Sequence, residues 1–87
     1  MLTVEIRDVE RASAGGAEVE IFCDAEGLAL LLHQLEHLKS GPNHIHFMTP
    51  SWAGNELEEK TVGERTVLVN HVRVTLLPTP VDTSMPD

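Results

Sequence analysis

One stretch of this chain repeats with the period of a helix, and both of its flanks repeat with the period of a strand. Leu28, Leu31, Leu32, Leu35 and Leu38 follow the i, i+3, i+4, i+7 rule, so one stripe of a helix is apolar. Asp24 stands before the stretch, where its carboxylate can accept from the free N–H groups of a first turn. Glu26 adds favourable negative charge at that end. Ser40-Gly41-Pro42 is expected to end it, because glycine is able to take the left-handed closing conformation and proline cannot continue. The spacing predicts a helix over 25–39.

The flanks alternate. Leu2, Val4 and Ile6 interleave with Thr3, Glu5 and Arg7, which predicts a half-buried strand over 2–9. Ser13 and Ala14-Gly15-Gly16 read as a hairpin connection. Val19, Ile21 and Cys23 then alternate with Glu18, Glu20 and Phe22, giving a second, antiparallel strand. Over 43–49, Ile45 and Phe47 point one way, while His44, His46 and Met48 point the other. Pro50 to Gly63 reads as a loop, and residues 65–77 as one long β-branched strand. The segment 78–87 is rich in proline and is expected to be a flexible C-terminal tail behind a single domain over 1–77.

The resulting order is β-β-α-β-β. It predicts an α+β fold with a four-stranded, mainly antiparallel sheet and one helix on one face. In the last strand, Leu68, Val72, Val74 and Leu76 are expected to face the helix. Val67, Val69, His71, Arg73 and Thr75 are expected to face away. Phe22, Met48, Val67, Val69 and His71 would then share an uncovered sheet face, and a homodimer across it is the expected remedy.

With 87 residues, the chain suits one modest core. Six Lys+Arg against fourteen Asp+Glu give a net charge of −8. That surface repels phosphate backbones, which argues against a nucleic-acid partner, and attracts a basic one. A lone cysteine, Cys23, fits a reducing compartment. The longest apolar run, Leu28-Ala29-Leu30-Leu31-Leu32, is far short of a membrane span. The first residues lack the basic and apolar regions of a signal peptide. A soluble, cytoplasmic protein without a cofactor is expected.

Three features could carry chemistry. His44 and His46 lie two apart on one strand, and by parity His71 on the next can share their face. Three imidazoles so placed suit zinc with an open fourth position. The register is undetermined, and a slip of one residue sends His71 to the other face. Sheet-face histidines without metal are therefore the preferred reading, with a small metal-dependent enzyme on His44, His46 and His71 as the alternative. Cys23 follows the phase of Val19 and Ile21 and is expected in the core rather than as a nucleophile. The loop Thr49–Glu59 holds the single tryptophan, Trp52, which reads either as a small core plug under the loop or as the anchor of an interaction loop. Trp52, Asn55, Glu56, Glu58 and Glu59 together read as a partner-binding set, an aromatic anchor beside acids. Asn55 is a possible cap for a short helical turn. Ser51 has no evident base or oxyanion glycines, so a serine hydrolase is not indicated.

The segment His44-Ile45-His46-Phe47-Met48-Thr49-Pro50-Ser51-Trp52-Ala53-Gly54-Asn55-Glu56-Leu57, with Val69-Asn70-His71-Val72-Arg73-Val74 downstream, resembles a small family from bacterial polymorphic toxin systems, immunity protein family 32. One departure is Ala53-Gly54, where the resemblance leads one to expect Gly-Gly. Its members are short α+β proteins whose genes neighbour toxin genes. The resemblance implies a non-enzymatic protein whose partner is a cognate toxin, and it transfers no catalytic residue.

Overall fold

The computed structural model describes residues 1–78. The elements are β1 (Leu2–Arg7), a 3₁₀ turn (Val9–Ala14), β2 (Glu18–Cys23), α1 (Ala25–Lys39), β3 (His44–Met48), a second 3₁₀ turn (Pro50–Trp52), β4 (Thr66–Leu68) and β5 (His71–Thr75). The class is α+β with one main helix. The single four-stranded sheet is replaced by two antiparallel sheets, one ordered β2-β1-β4 and the other β3-β5. The expected tail over 78–87 lies outside the described residues, apart from Pro78.

The split comes from a break in the long β-branched run. Val69 N still donates to Val4 O at 2.8 Å, beside β1, while Asn70 O accepts from Thr49 N at 3.0 Å, beside the end of β3. The chain thus changes sheets between two residues. Val69, Val72 and Val74 all pack against the core. Val69 and Val72 are three apart, and an odd spacing on one side is impossible for an unbroken strand of period two. The phase before the break is therefore the reverse of the expected one. Val67 pairs with Ile6 and shares the helix side, whereas Leu68 pairs with Glu5 on the opposite side.

Helix α1 has the expected bounds. Asp24 Oδ1 accepts from Gly27 N at 2.8 Å, the anticipated cap. Its buried stripe is displaced from the leucine pattern, however. Gly27 and Leu38 are buried, and Leu30 and Leu31 pack on the core, while Leu28, Leu32 and Leu35 are exposed. The cause lies at Gly27. A Cβ there would sit 1.8 Å from Met1 O, so the helix seats its glycine against the chain beside β1. That close approach fixes its rotation.

The core is Leu2, Val4, Leu38, Ile45, Phe47 and Leu57. Burial of each contributes about 1.5–3 kcal/mol. Leu57 comes from the expected loop: its N–H donates to Met48 O at 3.2 Å, and Glu58 N donates to Leu2 O at 2.9 Å, tying the two sheets together. Cys23, expected in the core, is exposed at the end of β2.

The polar face of β1 is also closed. Glu5 is fully buried. Its carboxylate accepts from Thr3 Oγ1 at 2.6 Å, Thr66 Oγ1 at 2.5 Å, Val62 N at 2.9 Å and Gly63 N at 3.1 Å. Burial opposes the charge, but these four donors outweigh it and hold the pKa at about 2. Glu5 thereby orders the segment leading into β4.

Candidate functional site

Antiparallel pairing of β3 with β5 sets His44 opposite Thr75, His46 opposite Arg73, and Met48 opposite His71. Opposed residues share a face. Ile45, Phe47, Val72 and Val74 therefore point into the core, and the three histidines share the outer face. The His44 and His46 rings meet edge to face at 4.9 Å, and those of His46 and His71 lie edge to edge, their centroids 4.8 Å apart and their planes 28° from parallel. His46 Nδ1 lies 2.6 Å from His71 Nε2.

Among the described residues, no group of three or more His, Cys, Asp or Glu side chains is arranged to hold a metal ion. The ring nitrogens of His46 and His71 face each other rather than a common centre. The geometry does not support the zinc alternative on His44, His46 and His71. Partial burial, followed by the charges of His44, His71 and Arg73, lowers the pKa of His46, while Glu56 opposes the shift.

The 3₁₀ turn after β3 carries the tryptophan to this face. Pro50 stands at its first position, where a missing N–H costs nothing. Thr49 O accepts from Trp52 N at 2.8 Å and from Gly54 N at 3.0 Å. Buried Thr49 also donates from Oγ1 to Asn70 Oδ1 at 2.7 Å. A Cβ on Gly54 would lie 2.5 Å from both Met48 Cβ and Met48 O, so only glycine fits. Ala53 holds φ 66°, ψ 22°. This left-handed residue is where the resemblance leads one to expect glycine, and the conformation explains that expectation.

Trp52 is 55% exposed, and its ring centroid lies 5.8 Å from that of His71. It is not a core plug. Glu59 Oε1 accepts from both the backbone N–H and the hydroxyl of Ser51, bracing the turn. Glu56 Oε1 accepts from Met48 N at 2.9 Å. The expected helical turn at Asn55 does not form; residues 55–57 are a bend. Asn55, Glu56 and Glu58 instead line an open depression of about 280 Å³ with Glu26, Leu30 and Met1.

Two stretches distant in sequence therefore meet, and they are the two parts of the sequence resemblance. Thr49 bonds Asn70, His46 bonds His71, and Trp52 overhangs His71. The family model described as Immunity protein 32 matches residues 18–72, more than half of the chain. The chain belongs to the Immunity protein 32 family. No curated protein and no solved structure matches it. In this Immunity protein 32 member, much of the recognisable segment builds the turn: Thr49, Pro50, Gly54 and Asn70 hold backbone, and Trp52 is what they display.

The partner-binding set expected from sequence is divided by the fold. Trp52 and Glu59 belong to the turn, whereas Asn55, Glu56 and Glu58 line the depression beside α1. The expected dimer-face set is not brought together. Val67 and Val69 lie on the helix side of the three-stranded sheet, and Phe22 lies on its opposite side with Thr3. Met48 and His71 belong to the outer face of the second sheet. The exposed flank of α1 and the open end of the first sheet were not anticipated. The leucine excess of α1, too wide for one stripe, was the available signal. No helix among the described residues is long and apolar enough to cross a membrane.

Proposed function

We propose that this protein binds and neutralises a cognate bacterial toxin in the cytoplasm, without catalysis of its own. Membership of the Immunity protein 32 family carries the reading. A net charge of −8 favours a basic partner surface. Charge of one sign raises the rate of encounter with such a partner, which matters for an inhibitor that must act before damage is done. Trp52 supplies the aromatic anchor. Its turn is braced by Glu59 and by the bond of Thr49 to Asn70, so little conformational freedom is lost on docking. Glu58, exposed at the depression, supplies charge on the approach side.

The test is co-expression with the toxin encoded beside its gene, followed by binding kinetics on the purified pair. The wild-type chain rescues growth. Trp52→Ala weakens binding at least tenfold, mostly through faster dissociation. Glu58→Lys slows association, and the effect shrinks with added salt. Absence of both rescue and binding by the wild-type chain overturns the reading. If binding occurs but neither variant changes it, the surface is misassigned.

A further inference from the structure

The three-stranded sheet has an uncovered apolar end. Antiparallel partners place Val19, Ile6 and Val67 in one row across the strands, with Ile21 and Val4 in the next. Helix α1 covers the Leu2 and Val4 end. Val19 is 64% exposed, Ile21 49% and Val67 48%. On α1, Leu28, Leu32 and Leu35 follow i, i+4, i+7 along one flank and are 46%, 55% and 38% exposed. Summed over the sheet rows and the helix flank, these side chains leave on the order of 500 Å² of aliphatic surface in water.

This surface adjoins an open strand edge. Among the described residues, β2 has β1 on one side and no strand on the other. Open edges are usually blunted by lysine, proline, a bulge or shortness. β4, the opposite edge, has three residues; β2 has six, Glu-Val-Glu-Ile-Phe-Cys, with none of these devices. Its two glutamates are compensated within the chain. Arg7 Nη2 lies 2.5 Å from Glu20 Oε1, and Arg7 Nε lies 3.4 Å from Glu18 Oε1, on the face away from the apolar rows.

We infer that a second copy of this chain occupies this surface, with β2 paired antiparallel to β2 across a two-fold axis. Such pairing joins two three-stranded sheets into one of six and keeps the apolar rows on one side. An axis at Ile21 sets the two Ile21 side chains across from each other and Glu20 across from Phe22 of the second copy, so within β2 no two carboxylates are directly opposed, and each Glu20 keeps its own Arg7. The contact is self-complementary, as a two-fold interface requires. Strand pairing together with the aliphatic patch approaches the roughly 800 Å² per partner of a stable interface. Charge argues against a basic toxin as the occupant: the rows hold no acid, while the acidic side chains at the depression and the Trp52 turn lie elsewhere. The inference does not depend on the proposed toxin role.

Sedimentation velocity and light scattering across a range up to high micromolar concentration test it. The wild-type chain is expected at twice 9.6 kDa. Ile21→Glu and Leu32→Glu, made separately, weaken self-association at least tenfold while retaining the wild-type circular dichroism. Glu58→Lys leaves it unchanged. Hydrogen exchange on the unaltered chain guards against misfolded variants: β2 amides are protected more strongly as concentration rises. A wild-type monomer throughout, a dimer resistant to both folded variants, or β2 exchange independent of concentration overturns the inference. A monomer whose folded Ile21→Glu variant loses toxin binding assigns the face to the toxin instead.

Discussion

His46 Nδ1 and His71 Nε2 stand 2.6 Å apart on neighbouring strands, and this bond requires one nitrogen to donate and the other to offer a lone pair. It cannot survive when both rings are fully protonated. Arg73 across the pair and His44 beside it add positive charge, and Glu56 adds negative charge. The bond also positions the ring beneath Trp52.

The pH dependence follows from His46. Its folded pKa lies below the unfolded 6.5. Between the two values the unfolded chain binds the proton and the folded chain does not, so stability rises with pH there. Stability from this group is full above 6.5 and declines as pH falls through that value. Nuclear magnetic resonance titration should find the His46 midpoint below 6.5, and His46→Gln should remove part of the stability change between pH 7.5 and pH 5. A midpoint above 6.5 contradicts the arrangement.

A second acid-labile group is Glu5. Its pKa is about 2 in the folded chain against 4.5 in the unfolded one. Its stabilisation is complete above 4.5 and is lost as pH falls toward 2. Glu5→Gln keeps the shape but cannot accept from all four donors, so urea denaturation at pH 7 should show a loss of about 2–3 kcal/mol. The variant should also lose stability less steeply below pH 4.5. An unchanged midpoint at pH 7 would mean the four bonds do not hold in solution.

The turn behind Trp52 allows an opposed pair of substitutions. Gly54→Ala forces a methyl into Met48 and should cost about 2 kcal/mol or more. Ala53→Gly relieves a left-handed alanine, and after the entropy cost of glycine should stabilise by roughly 0.5–1 kcal/mol. Thermal unfolding of both variants checks the signs. Equal effects would show that the turn is not held as described.

Leu57 is 2% exposed in a segment without regular structure. Leu57→Ala should cost about 2–5 kcal/mol, like a core deletion rather than a loop change. Chemical denaturation decides between them: a loss under 0.5 kcal/mol would place Leu57 outside the core.

Local chemistry sets most of the elements. Asp24 and the leucine period define the start and body of α1; its end is closed by Ser40, whose backbone N–H and hydroxyl both donate to His37 O, and Gly41 does not take the left-handed conformation expected of it. Alternation sets β1, β2 and β3, and it sets the outward direction of His44, His46 and Met48. The segment around Trp52 is recognisable as one unit, but the sequence leaves open whether Trp52 plugs the core or stands exposed; the tertiary structure decides for exposure.

Tertiary contacts decided the rest, for a common reason: periodicity tells which residues share a side but not which side is covered. Gly27 against Met1 rotated α1 and left Leu28, Leu32 and Leu35 outside. Val69 bonded β1 while Asn70 bonded Thr49, so a run that reads as one strand became two in different sheets with reversed phase. Leu57 entered the core through a backbone bond to Met48, which no pattern in its own segment encodes. The meeting of His46 with His71 needed the β3–β5 register, and that register depends on packing Ile45, Phe47, Val72 and Val74 against residues far away in the chain.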